Sequence, residues 1–155
     1  MGNLIWHQYA HYVAITSSVY AVWSAYWGLF YRKFFWDFVA GTLRDPGGYQ
    51  PAPSALPFVA VIVKLPVVQI LAMIVGIFGI LLEYPLPLFK SSPLGRNLVV
   101  RVVVLLVQTF FCILYYQGVN AALYGFIAAM CYVRAIMLGE TMEEAKSNRG
   151  KGGRA

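Results

Sequence analysis

The sequence predicts an all-α fold, an integral membrane four-helix bundle with both termini cytosolic. Three observations lead there. Of the 155 residues 60% are hydrophobic and only 12% charged, with a mean hydropathy of +0.66, well above the roughly 45–50% apolar usage of soluble domains. Four apolar stretches reach the length of about 20 residues that a helix needs to cross about 30 Å of hydrocarbon. Lys and Arg gather near the ends of these stretches, more on one side than on the other.

The first expected span covers about 9–31 and stops at Arg32 and Lys33, after which KFFWDFVAGTL reads as an interfacial segment with aromatic anchors. The stretch 44–57, RDPGGYQPAPSALP, holds four of the eight prolines and a Gly pair, so it is an extramembrane loop. The second span runs over about 56–82, with Lys64 snorkelling and Pro66 in its first turns, and ends at EYP, where Tyr84 anchors and Pro85 stops the helix. The third span is about 98–116, the fourth about 119–138, with a turn at Gln117 and Gly118. These form one membrane domain, 1–140, followed by a polar, Gly-rich cytosolic tail, 141–155. The amino terminus has no basic n-region, so the first span is expected to stay as a signal anchor. Cys112 and Cys131 both sit in apolar runs, and no disulfide is expected.

Four spans put both termini on one side with six Lys and Arg (Lys90, Arg96, Lys146, Arg149, Lys151, Arg154), against Arg32, Lys33 and Arg44 opposite. That bias makes the termini cytosolic. It also accounts for the net charge of +6 without a nucleic-acid partner.

Few residues could carry chemistry. His7 and His11 share a helix face, but two ligands on one helix do not make a metal or haem site, and they read as interfacial polar anchors. No phosphate loop, HExxH, CxxC or GxSxG motif occurs. No catalytic residue, metal ligand or cofactor is therefore expected. The ionisable residues inside spans are more informative, because a charge in the bilayer usually faces a partner or water. Arg101 and Arg134 each lie one turn into the cytosolic end of a span, at the level of Glu83. Arg101 either snorkels to the headgroups or pairs with Glu83. Small residues mark packing faces at Ser17, Ala21, Ser24 and Gly28 in the first span, and at Ala121 and Gly125 in the fourth, with Ala128 or Ala129 beyond. Tyr20, Trp23, Trp27 and Phe30 form an aromatic stripe offset from the first of these. Such faces either pack the four helices together or receive a partner.

Four blocks, MGNLIW (1–6), GIFGILLEYP (76–85), GRNLVVR (95–101) and YVRAIMLGE (132–140), give the chain a resemblance to the small membrane subunit of NADPH oxidases, the cytochrome b light chain. The resemblance is closer to that family's fungal NoxD branch. It implies a non-catalytic subunit that packs against the haem- and flavin-bearing catalytic subunit, stabilises it and permits superoxide production. By position it assigns Glu83, Arg96, Asn97 and Arg101 to a polar cluster on the cytosolic side, with Trp6 and Gly139 at matching ends. His7 and His11 match none of its motifs. The animal light chain recruits an organiser through a proline-rich tail, whereas no PxxP occurs here. The alternatives are a small four-span enzyme, glutathione-transferase-like or lipid-modifying, and an unrelated membrane assembly factor. The expected location is the endoplasmic reticulum, the plasma membrane or both.

Overall fold

The computed structural model describes residues 4–33, 52–84 and 93–142. The interfacial segment after Lys33, most of the loop 44–57, Pro85, Lys90 and the tail beyond 142 lie outside the described residues. Among the described residues every regular element is helical.

Helix α1 is Trp6–Phe30, 25 residues. From Trp6 to Trp27 it has no Gly or Pro, so nothing interrupts its hydrogen-bond ladder. A 3-10 turn, Pro53–Ala55, leads into the one-turn helix α2, Leu56–Val59, and a π turn, Ala60–Lys64. Helix α3 is Val67–Glu83. The expected continuous span 56–82 is therefore broken, with a 59° bend between Pro53–Lys64 and Val67–Glu83. Pro66 is the cause. The ring disfavours helical dihedrals in the residue before it, and Leu65 is extended at φ −110°, ψ 128°. Gln69 stitches the break, its Nε2 donating to the Ile62 carbonyl at 2.9 Å.

A single turn, α4 (Pro93–Arg96), precedes α5, Leu98–Ile113, which Asn97 caps by accepting from Val99 N at 2.9 Å. A 3-10 turn at Tyr116–Gly118 then starts α6, Val119–Met137. The four long helices form an up-down-up-down bundle in which α1 and α5 each pack against both α3 and α6. At one end Arg32 donates to the Lys64 carbonyl at 2.6 Å, and Tyr116 N to the Lys33 carbonyl at 3.0 Å. Lys64 thus joins the Arg32 end, which reduces the charge bias without reversing it.

Tyr116–Met137, at 22 residues and a mean hydropathy of 1.5, is long and apolar enough to cross a membrane, and the two parts around Pro66 meet that test only jointly. Helix α5 is apolar but has 16 residues. Helix α1 has the length, but its Tyr, Trp, Ser and His residues lower its hydropathy.

Polar groups lie inside and apolar ones outside. Ser17, Ser18, Gln69 and Gln108 are completely buried, whereas Ile74, Val103, Phe110 and Leu123 are each more than half exposed. The small-residue faces point inward: Ser17, Ala21, Ser24 and Gly28 of α1 and Ala121 and Gly125 of α6 are buried. Small partners on α3 permit the close approach. A Cβ on Gly79 would meet Ser18 Oγ at 2.6 Å and Gln108 Oε1 at 3.2 Å. Both cysteines are buried and free.

Candidate functional site

One residue from each long helix meets in a buried layer near the end where α1 begins: His11 (α1), Glu83 (α3), Arg101 (α5) and Tyr132 (α6). Glu83 is the last residue of α3, where unpaired carbonyls and the helix dipole disfavour a negative charge. It is nevertheless 5% exposed, so donors must compensate it. Arg101 forms an ion pair with Glu83 Oε2. The Tyr132 hydroxyl lies 2.9 and 2.8 Å from the two carboxylate oxygens, and His11 Nδ1 lies 2.6 Å from Oε2. With the carboxylate oxygen as acceptor, His11 Nδ1 is the donor in this contact.

Arg101 does more than neutralise. Its Nη2 donates to the carbonyls of Leu82 at 2.8 Å and Gly95 at 2.9 Å, so one guanidinium also satisfies the end of α3 and the turn of α4. Being one turn into α5 sets it opposite the last turn of antiparallel α3. Its Nε has no hydrogen-bond partner. The adjoining cavity, lined among others by Ser18, Gly79, Glu83 and Arg101, has about 10 Å³, room for about one water rather than a substrate.

A second carboxylate closes the same end. Glu140, 4% exposed, accepts from Trp6 N at 3.0 Å and His7 N at 2.8 Å, and its Oε2 lies 3.0 Å from His7 Nδ1. It caps α1, whose own N-cap residue, Ile5, supplies no side-chain bond. Gly139 makes this possible. At φ +67° it occupies the left-handed region, so Gly139 N bonds back to Ile136 O and Glu140 N to Ala135 O, the Schellman pattern. The chain then turns Glu140 back towards α1.

Deeper in the bundle Gln108 links two serines of α1, accepting from Ser18 Oγ at 3.0 Å and donating to Ser17 Oγ at 2.8 Å. Ser17 Oγ donates onward to the Ala121 carbonyl at 2.9 Å. Further along, Ser24 Oγ and the Tyr115 hydroxyl are 3.0 Å apart.

A family model described as a domain of unknown function, DUF7727, matches residues 1–140. The chain belongs to this family. The matched range takes in both carboxylate clusters, from Trp6 to Glu140. No curated protein and no solved structure matches the chain.

Of the residues expected to form the polar cluster, Glu83 and Arg101 meet, and three do not join them. Arg96 is exposed at the end of α4, and the exposed Asn97 spends its side chain on the cap of α5. Arg134 is half-buried and takes no part, because two residues from Tyr132 is about 200° around the helix. Tyr20, Trp23, Trp27 and Phe30 face outward at 39, 60, 39 and 65% exposure. His7 and His11, read as interfacial polar anchors, each contact a carboxylate: His7 that of Glu140, just beyond the end of α6, and His11 that of Glu83, the last residue of α3. Sequence reasoning also passed over Tyr132 as a donor and Glu140 as a cap. The available signal was the scarcity of acids, since only Glu83 and Glu140 stand at the ends of apolar stretches, and each needed a donor.

Proposed function

We propose that the bundle crosses a bilayer four times with both termini cytosolic, and that the chain is a non-catalytic membrane subunit. In this reading it binds the haem-bearing catalytic subunit of an NADPH oxidase, keeps it stable and so permits superoxide production. The membrane part is supported by the inside-out distribution, since lipid leaves apolar side chains without cost outside and requires buried polar groups to be paired. At about 1.5 Å per residue α5 is about 24 Å long, which suits the thinner bilayer of the endoplasmic reticulum, about 27 Å, better than the plasma membrane.

The partner part rests on one observation. The four blocks that carry the oxidase-subunit resemblance converge at one end of the bundle, through Trp6 with Glu140 and through Glu83 with Arg101 and Tyr132. A lock of this kind holds helices in a fixed arrangement against a neighbour and involves no turnover. The chain itself carries no cofactor in this reading, and purified alone it is colourless.

The deciding experiment is deletion of the chain in its native host, followed by quantification of every oxidase catalytic subunit and of superoxide. Both fall together if the proposal is right. Unchanged abundance and unchanged superoxide rule it out. A haem absorption band that stays with the isolated protein and disappears on changing His7 or His11 to Ala would contradict the non-cofactor part.

A further inference from the structure

The outer surface of the bundle is not uniform. Tyr12, Thr16, Tyr20, Trp23, Trp27 and Phe30 fall within about 80° of one another around α1, about 110° from the buried face of Ser17, Ala21, Ser24 and Gly28. All six are exposed. Aromatic residues at membrane boundaries are ordinary anchors, but depth separates these from a belt. Measured from the middle of α1, Thr16 and Tyr20 lie about 3 Å away, Trp23 about 7.5 Å and Tyr12 about 9 Å, all inside a hydrocarbon half-thickness of about 15 Å.

At the corresponding depth α3 and α5 present a different surface, whereas α6, which packs beside α1, adds one exposed hydroxyl, that of Tyr124. Helix α3 exposes Leu71, Ile74 and Ile77, and α5 exposes Val103, Leu106 and Val107, without a polar atom on any of these side chains. That is a surface for acyl chains. On α1 the Tyr12 and Tyr20 hydroxyls and the Trp23 indole N–H, exposed at 70, 39 and 60%, have no hydrogen-bond partner among the described residues. Acyl chains offer them none, and a donor left unpaired in hydrocarbon is costly. Thr16 leaves a notch between Tyr12 and Tyr20, its own hydroxyl turned back to the Tyr12 carbonyl at 2.9 Å. Close approach of a second helix needs such a notch.

We infer that this stripe of α1 is a docking surface for a membrane-crossing helix of another protein, one that presents hydrogen-bond acceptors at mid-bilayer depth. Backbone carbonyls exposed beside small residues, or Ser, Thr, Asn and Gln side chains, supply that chemistry. The inference rests on the membrane part of the proposed function and extends it by naming one face of one helix. It does not depend on the partner being an oxidase.

The test uses a photo-crosslinking amino acid placed singly at Tyr20, Trp23, Ile74 and Val107 of the full chain in native membranes, with the linked peptides sequenced. Tyr20 and Trp23 should link to a membrane-crossing segment of one other protein, and Ile74 and Val107 to lipid alone. The triple variant Tyr12→Phe, Tyr20→Phe, Trp23→Phe keeps the rings and removes the donors. It should leave the isolated bundle's melting temperature unchanged and weaken recovery of that partner about 20-fold, the effect of losing three intramembrane hydrogen bonds. Lipid alone at all four positions, a second copy of this chain at Tyr20, or full recovery with the triple variant overturns the inference. If the partner carries no haem, the docking surface stands and the oxidase reading falls. If oxidase abundance depends on the chain but Tyr20 and Trp23 link only to lipid, the oxidase reading stands and the docking surface falls.

Discussion

Replacing Glu83 with Gln keeps the shape of the side chain and removes its charge. The carboxylate is 5% exposed, and Arg101, at 4% exposure, would keep a full positive charge with neutral acceptors alone, the Leu82 and Gly95 carbonyls and the Tyr132 hydroxyl oxygen at 3.3 Å, and no counter-charge. The Gln amide also turns a donor towards a site already filled with donors from His11, Arg101 and Tyr132. Removing one partner of a buried ion pair costs about 3–5 kcal/mol, whereas an exposed pair is worth about 0–1 kcal/mol. For a domain of this size about 1 kcal/mol corresponds to about 2–4 °C, so the melting temperature in nanodiscs should fall by at least about 6 °C. Tyr132→Phe removes one neutral donor and leaves two on the carboxylate, so it should cost about 1 kcal/mol. The expected order is Glu83→Gln well below Tyr132→Phe, with Lys151→Gln in the tail without effect. The exchange Glu83→Arg with Arg101→Glu should recover only part of the loss, because a glutamate on α5 cannot donate to the Leu82 and Gly95 carbonyls. A Glu83→Gln loss no larger than that of Tyr132→Phe would refute the reasoning, since the carboxylate would then be solvated by headgroups or water.

Gly139→Ala should cost about 1–2 kcal/mol by backbone strain alone, because φ is +67° and a Cβ there meets nothing within 4 Å; thermal unfolding measures it, and α1 should fray first in hydrogen exchange at Trp6 and His7. Gly79→Ala brings a Cβ to 2.6 Å from Ser18 Oγ and should cost about 1–3 kcal/mol, and less in a Ser18→Ala background, which itself loses the bond to Gln108; an equal cost of Gly79→Ala in both backgrounds would contradict the close contact of α1 and α3. Cys112 and Cys131, at 0 and 7% exposure, should resist maleimide in the folded bundle and react on unfolding, and rapid labelling without denaturant would contradict the packing of α5 and α6. Tags at Gly2 and Ala155 should be cut by protease from the cytosolic side of sealed vesicles, and a glycan acceptor near Tyr49 should be modified; the opposite pattern at both would reverse the topology.

Composition and the spacing of apolar residues determined the helical class, the ends of α5 and α6 to within a few residues and which small residues share one face of α1 and of α6, because these follow from helix period and length alone, whereas packing decided that those faces point inward. Pairing of Glu83 with Arg101 was legible as one of two readings, the other being snorkelling of Arg101, because both are ionisable residues at one depth on consecutive spans; the packing of α3 against α5 decided for the pair. What the sequence alone could not decide is which residues meet across helices far apart in the chain. Glu140 reaches Trp6 and His7 only because α6 runs antiparallel beside α1 and Gly139 reverses the backbone at its end. His11 reaches Glu83 only because α1 packs against α3. Arg134, at the expected depth, stays out of the layer because depth is set by position along a helix, whereas contact is also set by rotation about its axis. The break at Pro66 had a local signal, but tertiary packing decided how it is held, through Gln69 and the Ile62 carbonyl.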